Sequence, residues 1–368
     1  MIHLIIYIDK TIGKPFKQRQ LTDEEATFFC KIAQAHKDGK CIICGDIDSI
    51  DALIASLSAP YNQIYRIVRG QYIENRALFD LVDTVVVLTA DISAPEMPSY
   101  IAPKSVVISM DTAEEIDVNS GCHLVCENID DCAFFEDLAR CYLKRKSLHS
   151  IQLYSSRENG GGNTTAAVFK KCIDQKAMTL CIADSDMKYG KSTEYQNEPA
   201  RGDTLYKVQK VESDLHTKSC KIPFCVLPLC VHEVENLIPL SVIEKIEKDL
   251  PDIRSGRILL EKLKEVDDGR PILYYDFKKG FPDFEKGPKL SYWREVFQKV
   301  EGTGIQLVDD VPKPWPAISS NNLLRRASKL IEDAGFTDIL IDSYLSEHWD
   351  SVGIKMVTWC CAYSKIRL

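Results

Sequence analysis

The sequence predicts an α/β protein, because strand-like and helix-like segments alternate up to about residue 241 and helical segments dominate beyond it. Apolar runs such as HLIIYID, TVVVLTAD and TLCIADSD recur between amphipathic segments, which is typical of an open, mostly parallel sheet covered by helices. The chain has 368 residues, of which 45% are hydrophobic and 27% charged. A chain of this length can form several hydrophobic cores, and we expect two or three domains.

An N-terminal α/β domain is predicted over residues 1–118. Its helix over residues 22–39 is the clearest, because Thr22 can cap the start, acids follow in the first turn and Gly39 can end it. SIDALIASLS and IENRALFDLVD are the other predicted helices. The predicted strands are residues 3–9, KCIICGDI, QIYRIVRG, TVVVLTAD and KSVVISMD.

A second α/β domain is predicted over residues 119–245, followed by a mainly helical region over residues 246–368. The expected strands of the second domain are CHLVCEN, HSIQLYSS, AMTLCIADSD and KIPFCVLPLCV. Helices are expected over residues 130–146 and in NTTAAVFKKCIDQ, and RENGGGNT is expected to be a loop. The last region has five helical segments, interrupted by the loops YYDFKKGFPDFEKGPK and DDVPKPWPAIS.

Composition excludes several classes of protein. A formal net charge of −8 excludes a broadly basic nucleic-acid coat protein. There is no secretory signal and no apolar stretch of about 18 residues, so we expect no membrane span and a cytoplasmic location. The 14 cysteines are scattered through apolar runs, which favours buried free thiols in a reducing compartment. Cys41 and Cys44 have a metal-knuckle spacing, but a strand would point them to opposite faces.

Acidic residues stand at the ends of three predicted strands of the second domain. They are Glu127, the pair Asp184 and Asp186, and the pair Glu233 and Glu235. Because parallel strands end at one edge of a sheet, these acids are expected to converge there. In an extended Asp-x-Asp both side chains point to one face and can meet one hard cation, for which Mg²⁺ is the first choice and Mn²⁺ an alternative. Such a centre can activate water for phosphodiester cleavage.

The competing interpretation is that these acids only cap helices or face water. The chain contains an internal comparison, since Asp46 and Asp48 have the same spacing in the first domain. We expect that pair to cap the following helix.

The motifs LVCENIDDCAFF, CIADSDMKYG and VHEVENLIP, separated by a glycine-rich loop, together resemble the TOPRIM domain. The likeness covers residues 121–245 and is greatest to the TOPRIM-like nuclease effectors of bacterial phage defence, such as the toxin subunit of PARIS systems, and to OLD-family nucleases. The chain departs from the family at two positions. Asn128 replaces the glycine of the leading acidic motif, and the glycine that follows Asp-x-Asp, Gly190, comes one residue later than in the family.

The resemblance implies a set of site residues. Glu127, Asp184 and Asp186 would bind magnesium, and Glu127 would also move protons. Asp131 matches the second acid of the family's leading acidic motif. The family's His-Glu-x-Glu-Asn motif is matched by His232, Glu233, Glu235 and Asn236. Glu235 is the first choice and Glu233 the second for further metal ligands.

Weaker candidates keep two interpretations each. Lys188 and Lys191 either stabilise the phosphate charge or are solvated. His232 is either a base or a metal ligand, but our preferred interpretation is that it orients the neighbouring acids. The run 160–162 either permits close backbone approach or is a plain flexible loop. The loop with Phe277 and Lys278 is a candidate for stacking a base and holding the nucleic-acid backbone; its further members are Lys279, Phe281 and Lys286.

The function expected from these motifs is a Mg²⁺-dependent nuclease acting as an antiviral toxin, with tRNA or other RNA preferred over DNA only because the resemblance implies it. The alternative is a non-catalytic assembly module, and a phosphotransferase or phosphatase is third. The chain lacks a Gly-x-x-x-x-Gly-Lys-Ser/Thr motif, so any ATPase or sensor is expected to be a separate partner that docks on the acidic first domain. The oligomeric state stays open, a homo-oligomer included.

Overall fold

The predicted fold class is confirmed: two parallel sheets are covered by helices and the C-terminal region is mostly helical. The computed structural model describes residues 5–16, 19–118, 121–187, 189, 202–280, 288–300, 307–308, 311–312, 317–318, 322–337 and 339–367.

The N-terminal sheet has four parallel strands in the order β2-β1-β3-β4. Its strands are β1 (Ile5–Ile8), β2 (Ile42–Gly45), β3 (Val85–Thr89) and β4 (Ser105–Ser109). The first three are buried throughout, which explains their continuous apolar runs. Its helices are α1 (Lys10–Phe16), α2 (Asp23–Lys37), α3 (Ile47–Ser56), α4 (Tyr61–Gly70), α5 (Tyr72–Leu78) and α6 (Met110–Glu115).

The capping residues behave as the sequence predicts. Thr22 and Glu25 form a capping box at the start of α2, and Gly39 follows its end with a φ of 68°. Asp46 caps α3 by accepting hydrogen bonds from the backbone N–H groups of residues 48 and 49. The capping interpretation of this Asp-x-Asp is therefore confirmed. Cys41 and Cys44 are buried in different hydrophobic clusters, as the strand geometry requires.

One predicted strand of this unit is wrong, because QIYRIVRG forms most of helix α4. Ile64, Tyr65 and Val68 are buried together on one helical face, whereas Arg66 points to solvent. Its Ile, Tyr and Val residues favour a strand by propensity, but they come in pairs separated by single arginines and do not follow the alternation of a half-buried strand. Packing of this face against α2 and α3 decides in favour of the helix.

The central sheet also has four parallel strands, in the order β7-β5-β8-β9. Its elements are β5 (Cys122–Cys126), α7 (Ile129–Arg145), β6 (Ile151–Leu153), β7 (Ser155–Asn159), α8 (Thr165–Asp174), β8 (Thr179–Ala183), α9 (Asp203–Thr217) and β9 (Phe224–Pro228). The predicted loop RENGGGNT is wrong at its start, because its first three residues complete β7. Helix α9 was not expected from the sequence.

The C-terminal region contains α10 (Leu240–Glu247), α11 (Arg254–Lys264), α12 (Pro288–Val300), β10 (Leu307–Val308), β11 (Val311–Pro312), α13 (Leu323–Asp333), α14 (Ser343–Cys360) and β12 (Cys361–Tyr363). We call residues 343–363, which comprise α14 and β12, the C-terminal clasp. Within it, α14 packs along α7 and β12 pairs antiparallel with β6.

The C-terminal clasp also reaches the N-terminal unit. Lys355 Nζ lies 2.6 Å from Asp83 Oδ2, and the Tyr363 hydroxyl donates a 2.7 Å hydrogen bond to Asn75. One hydrophobic cluster runs from the N-terminal sheet into the central sheet and the C-terminal helices. The boundaries at residues 118 and 245 stay predictions.

Candidate functional site

Six acidic side chains lie at the carboxyl ends of the central strands, and we call them the acidic edge. They are Glu127, Asp131, Asp184, Asp186, Glu233 and Glu235. Glu127 directly follows β5 and Asp184 directly follows β8, the strand paired beside it. Asp131 lies in the first turn of α7, and the two glutamates lie in the segment after β9. The parallel sheet therefore brings distant parts of the sequence to one edge.

The carboxylates of the acidic edge influence one another's ionisation. Asp184 keeps part of its surface accessible, but surrounding protein desolvates the carboxylate and raises its pKa well above the ordinary range. The negative charges of Asp131 and Glu127 raise this pKa further. The pKa of Glu127 is likewise raised, first by burial and then by Asp186. Such mutual repulsion requires the charges to lie close together.

Asp131 is the most deeply buried of the predicted metal ligands, with 4% of its surface exposed. It accepts a 2.8 Å hydrogen bond from the backbone N–H of Asn128, which is the N-cap of α7. Burial nevertheless raises the pKa of Asp131 to about 7, and Glu235 contributes in the same direction. Asp131 thus both caps a helix and belongs to the acidic edge.

Lys278 is a cation that contacts two glutamates of the acidic edge. Its Nζ lies 2.8 Å from Glu233 Oε2 and 3.3 Å from Glu235 Oε1. The sequence placed Lys278 in a nucleic-acid contact loop and did not link it to the acids. No local pattern indicates this contact, because Lys278 is more than 40 residues from Glu235 along the chain.

The proposed base-stacking role of Phe277 is wrong, because this side chain is fully buried. Its ring packs against Tyr275 at 6.2 Å, and its carbonyl accepts a hydrogen bond from Ile318. Phe277 and Lys278 lie in a turn that Asp276 caps by accepting hydrogen bonds from the backbone N–H groups of Lys278 and Lys279. Phe277 packs inward in this turn, whereas Lys278 reaches the acids. Phe281 and Lys286 lie outside the described residues.

His232 connects three segments around the acidic edge. Its Nδ1–H donates to the Met187 carbonyl at 3.0 Å, and its Nε2 lies 3.6 Å from Asp276 Oδ2. Its own carbonyl accepts a 2.9 Å hydrogen bond from the backbone N–H of Asp186. Burial lowers the pKa of His232, but the Asp276 hydrogen bond and nearby negative charges outweigh it, so the net pKa is raised. This geometry favours the orienting role over that of a catalytic base.

Asn236 fixes the segment that carries the two glutamates. Its side-chain oxygen accepts from the backbone N–H of Glu233 at 2.9 Å. Its side-chain N–H₂ donates to the carbonyls of Ile272 and Tyr275, at 2.7 and 2.8 Å. Asn236 is fully buried, and its hydrogen bonds join the segment of Glu233 and Glu235 to residues 272–275, which precede Lys278.

The glycine run after β7 supports the backbone of Glu127. Gly160 N–H donates to the Cys126 carbonyl at 2.7 Å, and Gly161 N–H donates to the Glu127 carbonyl at 2.8 Å. A Cβ on Gly160 would lie 2.6 Å from that Cys126 oxygen and 2.3 Å from Thr165 Oγ1. The close-approach interpretation therefore describes this position better than a plain flexible loop does.

The loop after β8 is also shaped for close approach. The predicted extended conformation of this Asp-x-Asp is wrong at Asp186, which follows the end of β8 and has a φ of 52°. The Asp186 carboxylate packs directly against Gly202, the N-cap of α9. Lys188 and Lys191, together with Gly190, lie outside the described residues, so their predicted roles stay predictions.

A cleft of about 630 Å³ opens beside Asp131, Glu235 and Lys278. The remainder of its lining combines amide, apolar and basic side chains; it consists of Asn128, Ile129, Asp130, Asn159, Asn322, Leu323, Leu324 and Arg325. Two other hollows lie beside α2 and include no residue of the acidic edge. The cleft therefore exposes Asp131 and Glu235 of the acidic edge to solvent.

The donor set at the acidic edge fits a hard divalent cation. Glu233 Oε1 and Glu235 Oε2 are buried and have no hydrogen-bond partner among the described residues. Buried carboxylate oxygens without a donor are costly, and oxygen ligands are those that Mg²⁺ and Mn²⁺ prefer. His232, Glu233 and Asp276 offer ligand atoms within 4.8 Å of one another, whereas Glu127, Asp184 and Asp186 do not form so tight a group among the described residues.

Comparisons with protein-family models, curated proteins and solved structures give no match for this chain. Among the described residues, no helix has the length and apolar character needed to cross a membrane.

Proposed function

We propose that this protein is a Mg²⁺-dependent nuclease of the TOPRIM type that hydrolyses phosphodiester bonds at the acidic edge. The observation that carries the proposal is the convergence of six carboxylates from separate segments, with raised pKa values for Glu127, Asp131, Asp184 and Glu233. Burial first, and then repulsion among the carboxylates, disfavours the fully ionised site unless a cation compensates it.

Glu127, Asp184 and Asp186 would hold the ion, with Glu235 and Glu233 as further ligands. A bound Mg²⁺ would supply Lewis-acid activation of water and neutralise charge on the phosphate. The raised pKa of Glu127 suits this side chain to take or give a proton near neutral pH. Lys278 can stabilise negative charge that develops on the phosphate oxygens.

The adjoining cleft supports a nucleic-acid substrate. Arg325 can pair with a phosphate, and the amides of Asn128, Asn159 and Asn322 can bind sugar or base groups. We propose RNA, and tRNA in particular, before DNA, on the strength of the family resemblance.

We further propose that the protein is a cytoplasmic toxic effector of phage defence. The sequence has no phosphate-binding Gly-x-x-x-x-Gly-Lys-Ser/Thr motif, so an ATPase or sensor would be a separate protein. The N-terminal unit is the proposed docking or regulatory surface for that partner.

A non-catalytic assembly module is the second candidate, and the ion pairs of Lys278 favour it. A lysine held between Glu233 and Glu235 can neutralise acidic residues without any metal. However, one ammonium group cannot compensate six carboxylates, so a metal centre explains the acidic edge better.

The test combines metal binding with cleavage by the full chain. Mn²⁺ binding is measured by electron paramagnetic resonance. Cleavage of tRNA, single-stranded DNA and duplex DNA is measured with Mg²⁺ or Mn²⁺, with and without the protein encoded by the neighbouring gene as the proposed partner. We expect Asp184→Asn to abolish cleavage and to weaken Mn²⁺ binding at least about tenfold. Asp48→Asn, in the first-domain Asp-x-Asp, is the matched control and should change neither quantity.

Two results separate the candidates. Binding of Mn²⁺ that depends on Asp184, together with cleavage, supports the nuclease. Absence of metal binding in the wild-type protein contradicts the metal centre and favours the assembly module.

A further inference from the structure

A second group of potential metal ligands lies between the central sheet and α8. His123 on β5, Glu158 on β7 and Cys172 on α8 each offer one ligand atom, and these atoms all lie within 4.8 Å of one another. The three residues come from three different elements, so the fold and not local sequence brings them together. Their spacing along the chain matches no metal-binding motif.

The imidazole of His123 lies against the carboxylate of Glu158, with Nδ1 2.9 Å from Glu158 Oε1. Its other nitrogen, Nε2, is buried and has no hydrogen-bond partner among the described residues. The His123 and Glu158 atoms are close enough to be ligands of one ion. Only 14% of the His123 side chain is exposed, against 33% of the Glu158 side chain. The group is therefore closed toward the core and open at Glu158.

The donor types differ from those of the acidic edge. An imidazole nitrogen, a carboxylate oxygen and a thiolate sulfur form a set that Zn²⁺ accepts, whereas Mg²⁺ prefers oxygen ligands alone. Zinc binds four ligands in tetrahedral geometry, and three protein ligands leave one position for water. We propose that His123, Glu158 and Cys172 form a Zn²⁺ site, with the fourth position on the solvent side at Glu158. On binding, Cys172 would release its thiol proton to solvent.

The proposed zinc site is separate from the acidic edge but connected to it by two strands. His123 precedes Glu127 by four residues on β5, which is about 13 Å along an extended strand. Glu158 lies two residues before the glycine run whose backbone holds Glu127. Zinc would thus cross-link β5, β7 and α8 behind the acidic edge.

Cobalt substitution of the full-length protein tests the proposal, because a Co²⁺–thiolate bond gives an ultraviolet charge-transfer band that oxygen and nitrogen ligands do not give. The metal-free protein is titrated with Co²⁺ and then with competing Zn²⁺. We expect one thiolate-bound Co²⁺ per chain, a charge-transfer band displaced by Zn²⁺, and loss of that band in Cys172→Ser. Glu158→Gln and His123→Ala should weaken Zn²⁺ binding at least about tenfold. Excess Mg²⁺ should not compete.

Three controls make the result decisive. Cys230→Ser removes an exposed thiol, and Cys181→Ser removes another buried thiol; both variants should keep the band. Asp184→Asn, at the acidic edge, should also keep it. The proposal is overturned if the wild-type protein gives no band, if the band survives in Cys172→Ser, or if it disappears in Asp184→Asn. Should Cys172→Ser fail to fold by circular dichroism, unchanged Zn²⁺ affinity in the partly exposed variant Glu158→Gln overturns the proposal equally.

Discussion

Replacing Asp131 with Asn is expected to stabilise the metal-free protein, and to do so increasingly as the pH rises. Burial raises the pKa of Asp131 from 3.8 to about 7. A carboxyl group whose pKa is higher in the folded chain holds its proton more tightly there. Raising the pH through this range therefore favours the unfolded chain, which ionises more readily. Asn removes this penalty and keeps an oxygen that can accept the hydrogen bond from Asn128.

The size of the effect follows from the two pKa values. A pKa difference of about 3 corresponds to about 4 kcal/mol once the group is fully ionised, at about 1.4 kcal/mol for each unit. The penalty begins near pH 4, where the unfolded side chain ionises, and is complete above about pH 7. It amounts to about 2 kcal/mol at about pH 5 and about 4 kcal/mol at about pH 8.

Urea unfolding in the presence of EDTA, at about pH 5 and about pH 8, measures the effect. The gain in unfolding free energy for Asp131→Asn should grow by roughly 2–3 kcal/mol between the two conditions. Asp130→Asn, at the neighbouring exposed position of α7, should change stability by less than about 1 kcal/mol at either pH. Adding Mg²⁺ should reduce the difference between Asp131→Asn and wild type. A gain independent of pH, or a loss at the higher pH, would refute the reasoning.

Three further predictions follow from the same region. Lys278→Met should lower single-turnover cleavage about 100-fold or more, whereas Lys279→Met should have little effect. Gly160→Ala should destabilise the fold by about 1–3 kcal/mol in urea unfolding, because its Cβ meets backbone and side-chain atoms at less than 3 Å. Gly70→Ala, where a Cβ meets nothing within 4 Å, is its control and should be neutral or slightly stabilising. Phe277→Ala should cost about 3–5 kcal/mol of stability through loss of a fully buried ring.

Each of these predictions has a contrary outcome. Equal cleavage by the two lysine variants would remove Lys278 from the proposed chemistry. Equal stability of the two glycine variants would mean that the segment at Gly160 moves aside at no cost. A stable Phe277→Ala protein with weakened binding to nucleic acid would restore the stacking interpretation.

Much of the fold could be predicted because local signals agree with tertiary packing. Thr22 and Glu25 mark the start of α2 by direct side-chain capping, and Asp46 does the same for α3. The buried strands are recognisable because a parallel sheet covered on both faces requires continuous apolar runs. QIYRIVRG failed because its Ile, Tyr and Val residues favour a strand by propensity, whereas the neighbouring helices α2 and α3 pack against a helical face of the segment.

The acidic edge was predictable only in part. Glu127 and Asp184 directly follow strands, so parallel pairing is enough to bring them together. Lys278 and Asp276 come from a different region of the chain, and their approach depends on the buried Asn236 linking two segments. Contacts of that kind have no local signature. The His123, Glu158 and Cys172 group was not foreseen for the same reason, since nothing in the sequence pairs β7 with β5 before the sheet order is known.

The C-terminal clasp has a consequence for the timing of synthesis. All six acids have been translated by residue 235, but the helix that packs along α7 and the strand that pairs with β6 come more than 100 residues later. At about 5–20 residues per second, a ribosome needs on the order of ten seconds to cover that interval. Throughout this time the nascent chain carries all six acids without the helix and the strand that pack against α7 and β6.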